Sequence, residues 1–531
     1  LAQTPVVTVV VVLSLGLGIG ANTAIFSLLH QVVLRSLPVS NPETLVLPAS
    51  PGEFKAGSTS TDNSGGGDLI FSYRVFRALE KQPQGVAGLA AFRLMGSSLA
   101  FGSQSSANRV LLVSGRYFPL LGVQPLFGRA ITPEDDAPSG GHPVAVLGYG
   151  YWKDHLGGRL EVLNQTLRVN GQSFTIVGVA PREFTGTTLG SEPAAFLPLV
   201  FKPQVTPGWK GADRWDDYWL YLLARLQPGI SREQAAAALN SVYAGLAEEQ
   251  SRTVKDRDAA YVKRFRESRL TLRDGKQGNS SLRDSTRVPI LILMTATGMV
   301  LLIAMANAAN LLLARAAQRR RELAIRAALG AGRSDILAQL LTEALLLGLA
   351  GGAAGLVLGF WTLRVLIARF AGGEEPVYFL TAGLDWQVLL FALTISVLTG
   401  LLFGLYPAWE GSRASLLEGL KDQSSQSSSS RGGTRVRRLL VCAQVAISVL
   451  LLVPTGLFLK SLVNLLHVDL GMQTENVVTF GIAPELNGYK PEQSRALFER
   501  AEEQLAAIPG VRTVSTAMVP LIAGSNWGNS L

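Results

Sequence analysis

RRRELAIRAALGAGRSD, Arg319 to Asp335, is the stretch on which the fold of this 531-residue chain turns. It is short, opens on an arginine cluster, and lies between two long runs that are almost free of charge, Val288 to Ala314 and Ile336 to Leu363. A bilayer core takes about 20 consecutive apolar residues of helix. Each flanking run is therefore long enough to span it, and the segment between them is not. Working outward, three more runs qualify: Val6 to Leu34, Val388 to Trp409 and Leu439 to Leu459. Hydrophobic residues make up 48% of the chain and are concentrated in these runs, which is the composition of a membrane protein. Glu343 inside the third run is costly against lipid and is predicted to face protein.

Basic residues in short loops mark the cytoplasmic side. The loop between the second and third runs holds Arg315, Arg319, Arg320, Arg321, Arg326 and Arg333, and the connection after the fourth holds Arg413, Lys421, Arg431, Arg435, Arg437 and Arg438. Both belong inside. The loop between the third and fourth runs carries Glu374, Glu375 and Asp385 and belongs outside, which places Pro38 to Thr286 and everything after Leu459 outside as well. The formal charge of +9 is thus assigned to membrane topology and not to nucleic acid, because the arginines sit beside apolar runs and line no groove with interleaved aromatics. Cys442 is the lone cysteine, and His30, His142, His155 and His467 lack ligand spacing, so neither a disulfide nor a metal centre is predicted. The chain opens on Leu1 and reads as a fragment; its first run is longer than a signal-peptide core and is predicted to stay as an anchor.

The long external segment has a mixed α and β pattern. LRVNGQSFTIVGVAP alternates around Asn170-Gly171, a two-residue hairpin signal because both turn positions need positive φ. YWLYLLARLQPGISREQAAAALNSVYAGL predicts a strand, a Pro228-Gly229 turn and a helix capped by Ser231 and Gln234. A strand-rich core with helices on one face is expected. QSSQSSSSRGG, Gln423 to Gly433, buries no apolar surface and predicts a flexible linker. Beyond it the beginning of the chain recurs. NPETLVL at Asn41 and QTENVVT at Gln473 each follow an anchor, and FRALEKQPQGV from Phe76 and FERAEEQLAAIPGV from Phe498 each close on Gly-Val, so the chain holds one full unit and the start of a second.

Enzyme signatures are missing from the sequence. GLGIGAN, Gly16 to Asn22, has the glycines of a dinucleotide fingerprint but lies in an anchor, where spaced glycines let helices approach closely. No G-x-x-x-x-G-K-[ST] loop occurs, and DGKQG at Asp274 lacks the first glycine and the hydroxyl, so any ATPase that drives this protein is expected on another chain. There is no His-Glu-x-x-His, nucleophile elbow or cysteine pair. The acidic pairs Asp135-Asp136 and Asp216-Asp217 read as solvated turn residues.

In the opening stretch, a helix places Glu322 and Arg326 at i,i+4, a mildly stabilising pair, while Leu323, Ala324, Ile325, Ala327, Ala328 and Leu329 cover the rest of its surface. Gly330 suits a left-handed cap, and Ser334 with Asp335 suits the start of the next helix. Such a helix either lies on lipid headgroups or docks into a groove of a cytoplasmic partner. Periodicity does not choose between the two.

ARAAQRRRELAIRAALGAGRSDILAQLLTEALLLGLAGGAAGLVLG, Ala314 to Gly359, resembles the permease segment of the MacB/FtsX family of ABC transporters. VSGRYFPLLGVQPLFGRAITPEDD, VAVLGYGYWKDHLGG and LRVNGQSFTIVGVAPREF resemble that family's periplasmic core, and the repeat and linker are similar to acidobacterial duplicated orphan permeases. The resemblance implies an α-helical membrane protein with an inserted α+β extracytoplasmic domain, a four-helix permease unit and the start of a second repeat. It implies a first transmembrane helix over 1–37, an extracytoplasmic core over 38–286, and a permease domain over 287–410 with a coupling helix at 320–330. A Ser-rich linker over 411–438, a fifth transmembrane helix over 439–463 and a truncated second core over 464–531 follow. It further implies a multi-pass protein of the bacterial inner membrane that contacts a cytoplasmic ABC ATPase dimer in trans. Arg320, Arg321, Glu322, Ile325, Arg326, Leu329 and Gly330 are the implied coupling residues. The family acts by mechanotransmission for export or efflux, sometimes with a periplasmic adaptor or envelope protein, and needs no cofactor in this chain. A non-transporting envelope regulator or scaffold of FtsX type is the alternative, and a membrane-tethered enzyme is a more distant one.

Overall fold

The computed structural model describes residues 5–51, 57–252, 258–319, 322, 325, 326, 328, 329, 331–370, 383, 385–411, 431–468 and 476–517. The chain divides into two compact units, Leu1–Arg35 with Leu282–Val477, and Ser36–Ser281 with Val478–Leu531. Helix α1 (Pro5–Leu29) opens the first.

The second unit is built on a mixed sheet. Its strands are β1 (Leu45–Ala49), β2 (Ser58–Thr59), β3 (Ile70–Ser72), β4 (Val86–Phe101), β5 (Gln104–Val113), β6 (Phe127–Gly128), β7 (Val144–Leu147), β8 (Thr166–Val169), β9 (Gln172–Val179), β10 (Ala195–Pro198), β11 (Asp217–Leu226) and β12 (Thr271–Asp274). The main path runs β12-β1-β11-β4-β5-β10-β7-β9-β6. Most neighbours are antiparallel, while β10 with β5, β7 with β9 and, off this path, β2 with β11 are parallel. The predicted hairpin is β8–β9: Val169 pairs with Gln172 across Asn170 (φ 50°) and Gly171 (φ 79°). Asn170 is also tied in place, its Oδ1 accepting from Ser98 N–H at 2.8 Å and its amide donating to Val205 O at 2.6 Å.

Side chains alternate along β11. Leu220, Leu222 and Ala224 join one core with Val75, Phe76 and Leu79 of α2 (Tyr73–Lys81), whereas Tyr221 and Leu223 join the other. That second core is aromatic: Tyr117 and Phe118 of α3 (Tyr117–Leu121) pack against Phe92, Phe184 and Phe196. Helix α4 (Tyr149–Asp154) and helix α5 (Arg232–Ser251) return to the first face through Trp152, Leu239 and Tyr243. Helices therefore cover both faces, not one as the sequence suggested. The physical reason is that β4, β5 and β11 are central and apolar on both sides, so each face must be kept from water. Helix α5 starts with the predicted capping box, in which Ser231 Oγ accepts from Gln234 N–H and Gln234 Oε1 accepts from Ser231 N–H.

The first unit continues with α6 (Ser281–Gln318), α7 (Arg333–Phe370), α8 (Trp386–Gly411) and α9 (Arg431–Leu466). Among the described residues five stretches, Pro5–Leu34, Ser281–Ala316, Arg333–Arg369, Trp386–Trp409 and Arg435–Leu466, are long and apolar enough to cross a membrane. Glycines let α1 and α7 approach closely, since a Cβ on Gly20 would stand 2.8 Å from Gly355 O. A polar clamp joins α1 to α6: Asn22 Nδ2 donates to Thr297 O at 2.8 Å while Thr297 Oγ1 reaches Asn22 Oδ1 at 3.2 Å. Helix α9 exposes Leu439, Leu452 and Phe458, a surface suited to lipid. The predicted Ser-rich linker falls mainly on 412–430, outside the described residues, and its last positions, 431–438, are the first turns of α9.

Helix α10 (Pro491–Ala506) lies in the second unit. Like α2, it is followed by a glycine with positive φ and then valine, Gly85-Val86 after α2 and Gly510-Val511 after α10.

Candidate coupling site

Between α6 and α7 the chain makes a short helical turn. Leu329 N–H donates to Ile325 O at 3.0 Å and Ala331 N–H to Arg326 O at 3.1 Å. Arg326 fixes this turn to its surroundings. One guanidinium nitrogen lies 2.6 Å from Glu322 Oε1, the expected i,i+4 pair, and another donates to Gln339 Oε1 in the second turn of α7 at 2.8 Å. Asp335 starts α7 by accepting from Gly332 N–H at 3.0 Å, placing a carboxylate among the unpaired amides of the helix N-terminus.

With Arg326 so held, two apolar side chains turn outward. Ile325 is 52% exposed and Leu329 83%. Glu322 and Arg326 stay about half exposed beside them, so the face combines two aliphatic knobs with a solvated ion pair. Arg319 at the end of α6 pairs with Glu343 of α7 at 3.3 Å, so Glu343 does face protein. The structure thus brings Glu322, Ile325, Arg326 and Leu329 together. Arg320, Arg321 and Gly330 lie outside the described residues. Gln339 was missed, because no local signal in ILAQLL ties it to a residue 13 positions earlier.

The acidic pairs of the sheet unit correct the sequence expectation. Asp135 and Asp136 are buried, not solvated. Asp135 accepts from both terminal nitrogens of Arg129 at 2.6 and 3.0 Å and from Thr132 N–H at 2.9 Å, with His142 Nδ1 at 3.2 Å. Asp136 accepts from Arg77 at 2.9 Å, Val200 N–H at 2.7 Å and Gly115 N–H at 3.2 Å. Burial pushes Asp135 up, but the bonds from Arg129 and Thr132 outweigh it and hold the carboxyl below its ordinary range. At Asp136 burial outweighs the Arg77 guanidinium and the two amides, and the carboxyl is pushed up to about 6. In the second pair, Asp217 is also buried and accepts from Trp209 Nε1 at 2.7 Å, while Asp216 stays partly exposed and pairs with Arg214 at 2.9 Å. These carboxylates are engaged by arginines, amides and an indole, so they serve as struts of the sheet unit and not as free acids or bases. Among the described residues no three histidine, cysteine or acidic side chains group as metal ligands.

Residues 8–242 match the family model described as MacB-like periplasmic core domain, and residues 294–416 match FtsX-like permease C-terminal. The chain is 23% identical over 372 residues to the macrolide export ATP-binding/permease protein MacB of Chlorobium luteolum, covering 69% of this chain and 51% of that one. It is 31% identical over 136 residues to the uncharacterized ABC transporter permease YknZ of Bacillus subtilis, covering 26% and 32%. It thus spans about half the length of the first relative and less of the second. The periplasmic region of MacB from Actinobacillus actinomycetemcomitans aligns with 42% of this chain and 96% of that structure, at 14% identity and a TM-score of 0.30.

Proposed function

We propose that this chain, an ABC-transporter permease with a MacB-like periplasmic core and an FtsX-like permease segment, transmits ATP-driven motion from a separate cytoplasmic ATPase to its extracytoplasmic core, for export or efflux. The observation that carries the proposal is the outward pair Ile325 and Leu329 on a turn braced by Arg326. Aliphatic knobs beside a charged rim match helix-in-groove docking, where a few buried side chains supply most of the affinity. The brace gives the push a path, because force on the turn passes through Arg326 to Gln339 and so into α7, which packs on α1 and α8. No phosphate-binding G-x-x-x-x-G-K-[ST] sequence occurs within these residues, so the ATP-driven step is not assigned to them. The name of the first relative pairs ATP binding with a permease, so in that protein both roles sit under one name.

The recurrence of the α2 signals at α10 supports a duplicated permease, with a second repeat beginning at α9. Orientation follows from the arginines of the turn, which favour the cytoplasmic side. The test is reconstitution of the protein with candidate ABC ATPases. Association and stimulated hydrolysis are expected, with Leu329→Asp and Arg326→Glu each weakening association roughly 30-fold, the effect of losing a hot-spot contact of about 2 kcal/mol. If no ATPase associates with the unaltered chain, the coupling role is wrong. An ATPase that associates while no cargo moves would favour the regulator or scaffold.

A further inference from the structure

At the end of the helical unit that carries the turn, α6, α7 and α8 line a cavity of about 30 Å³, large enough for a water-sized group. Arg315, Arg319 and Glu343 line it together with aliphatic surface from Leu340 and Pro407. Glu343 is already engaged by Arg319 at 3.3 Å. Arg315 is different. It is only 7% exposed, and its Nε and one terminal nitrogen are fully buried with no hydrogen-bond partner in the protein. A guanidinium does not shed its proton to escape burial, so this one calls for an anion.

The surroundings say which anion. Arg315 lies at the end of the Ser281–Ala316 span, and α8 ends its own span at Trp409, whose exposed indole packs near Tyr406 at 6.2 Å between ring centroids. Exposed tryptophan at a span end marks headgroup depth. Two guanidiniums face one carboxylate, leaving a net positive charge inside aliphatic walls. An anionic group carried on an apolar body, at headgroup depth, beside a basic loop, is a phospholipid phosphate.

We propose that Arg315, assisted by Arg319, binds the phosphodiester of an anionic phospholipid in the leaflet next to the turn. The site depends on membrane embedding and stands whether or not an ATPase docks nearby. Native mass spectrometry of the full chain in detergent tests it, with phosphatidylglycerol, phosphatidylcholine or inorganic phosphate added in turn. The unaltered chain is expected to retain phosphatidylglycerol in preference to phosphatidylcholine. Arg315→Gln is expected to weaken that retention about ten-fold or more, as for loss of a charge-assisted hydrogen bond. Glu343→Gln, which removes the competing carboxylate, is expected to leave retention intact or raise it. Loss of retention in Arg315→Gln without loss in Glu343→Gln separates a binding site from a general loss of fold. Equal retention by the unaltered chain and Arg315→Gln overturns the site. Displacement of the lipid by inorganic phosphate alone assigns the site to a free anion and overturns the lipid. Loss of ATPase stimulation in Arg315→Gln with lipid retention unchanged assigns the arginine to a carboxylate of a partner protein, and overturns the proposal as well.

Discussion

Two arginines, one in each unit, are withdrawn from water and meet opposite fates. Arg77 in the sheet unit reaches Asp136 at 2.9 Å and Glu80 at 2.7 Å, and Asp136 in turn collects two backbone amides. Arg315 in the helical unit is buried more deeply, yet two of its nitrogens meet nothing in the chain. The first arrangement is closed: charges, amides and carbonyl groups satisfy one another and lock α2 to the segments around Gly115 and Val200. The second is open on one side. The difference teaches that burial alone does not distinguish a structural charge from a functional one; whether the protein itself completes the hydrogen bonding does.

The largest effect that sharpens this contrast comes from removing Arg77. Arg77→Met strands the Asp136 carboxylate in a dry site, and breaking a buried pair from one side costs about 3–5 kcal/mol. Unfolding followed through tryptophan fluorescence reports it, since Trp152 and Trp219 pack in the core of that unit. Arg315→Met leaves only Arg319 and Glu343, already a matched pair, and is expected to cost less than about 1 kcal/mol in lipid-free detergent. Comparable losses for the two variants would break the comparison and make Arg315 another strut.

A smaller effect follows from the two neighbouring carboxylates. Asp136 has a folded-state pKa raised to about 6, above its unfolded value, so its contribution is fully present below the unfolded pKa and is lost as pH rises through 6. Asp135 is shifted the other way, so its contribution is present at neutral pH and lost only as pH falls through a value below the ordinary carboxylate range. Of these two carboxylates, only Asp136 titrates between pH 7 and pH 5. The sheet unit is expected to gain about 1 kcal/mol over that interval, with Asp136→Asn abolishing the gain and Asp135→Asn leaving it. Tryptophan-monitored denaturation at the two pH values decides. A gain that survives in Asp136→Asn would assign the titration to another group.

The same contrast explains what the sequence made legible. Membrane spans show because their signal is a local run of apolar residues, and the Asn170-Gly171 hairpin and the Ser231–Gln234 cap show because each is complete within four residues. The turn at Glu322–Arg326 is legible for the same reason. The burial of Asp135-Asp136 is not, because Arg77, Gly115 and Val200 arrive from 59, 21 and 64 positions away and nothing local announces them. Arg315 was hidden for a different reason. It belongs to a basic cluster that topology alone accounts for, and only the packing of three helices shows that it differs from its neighbours. Cover on both sheet faces was likewise invisible, since YWLYLL is apolar throughout and does not say which residues face which way.

The smallest expected effect tests the coupling turn against both arginines. Leu329 is 83% exposed, so Leu329→Ser removes almost no buried area and should change stability by no more than about 0.5 kcal/mol. Glu322→Gln breaks an exposed i,i+4 pair whose side chains are about half solvated, a loss of a few tenths of a kcal/mol. Neither variant should move the thermal midpoint measurably, yet Leu329→Ser should lower the affinity for a partner ATPase, because an exposed leucine has energy to give only when something covers it. A midpoint that drops by several degrees in Leu329→Ser would mean that the side chain is already covered within the protein in its membrane, and the turn would then be a strut like Arg77 and not a docking face.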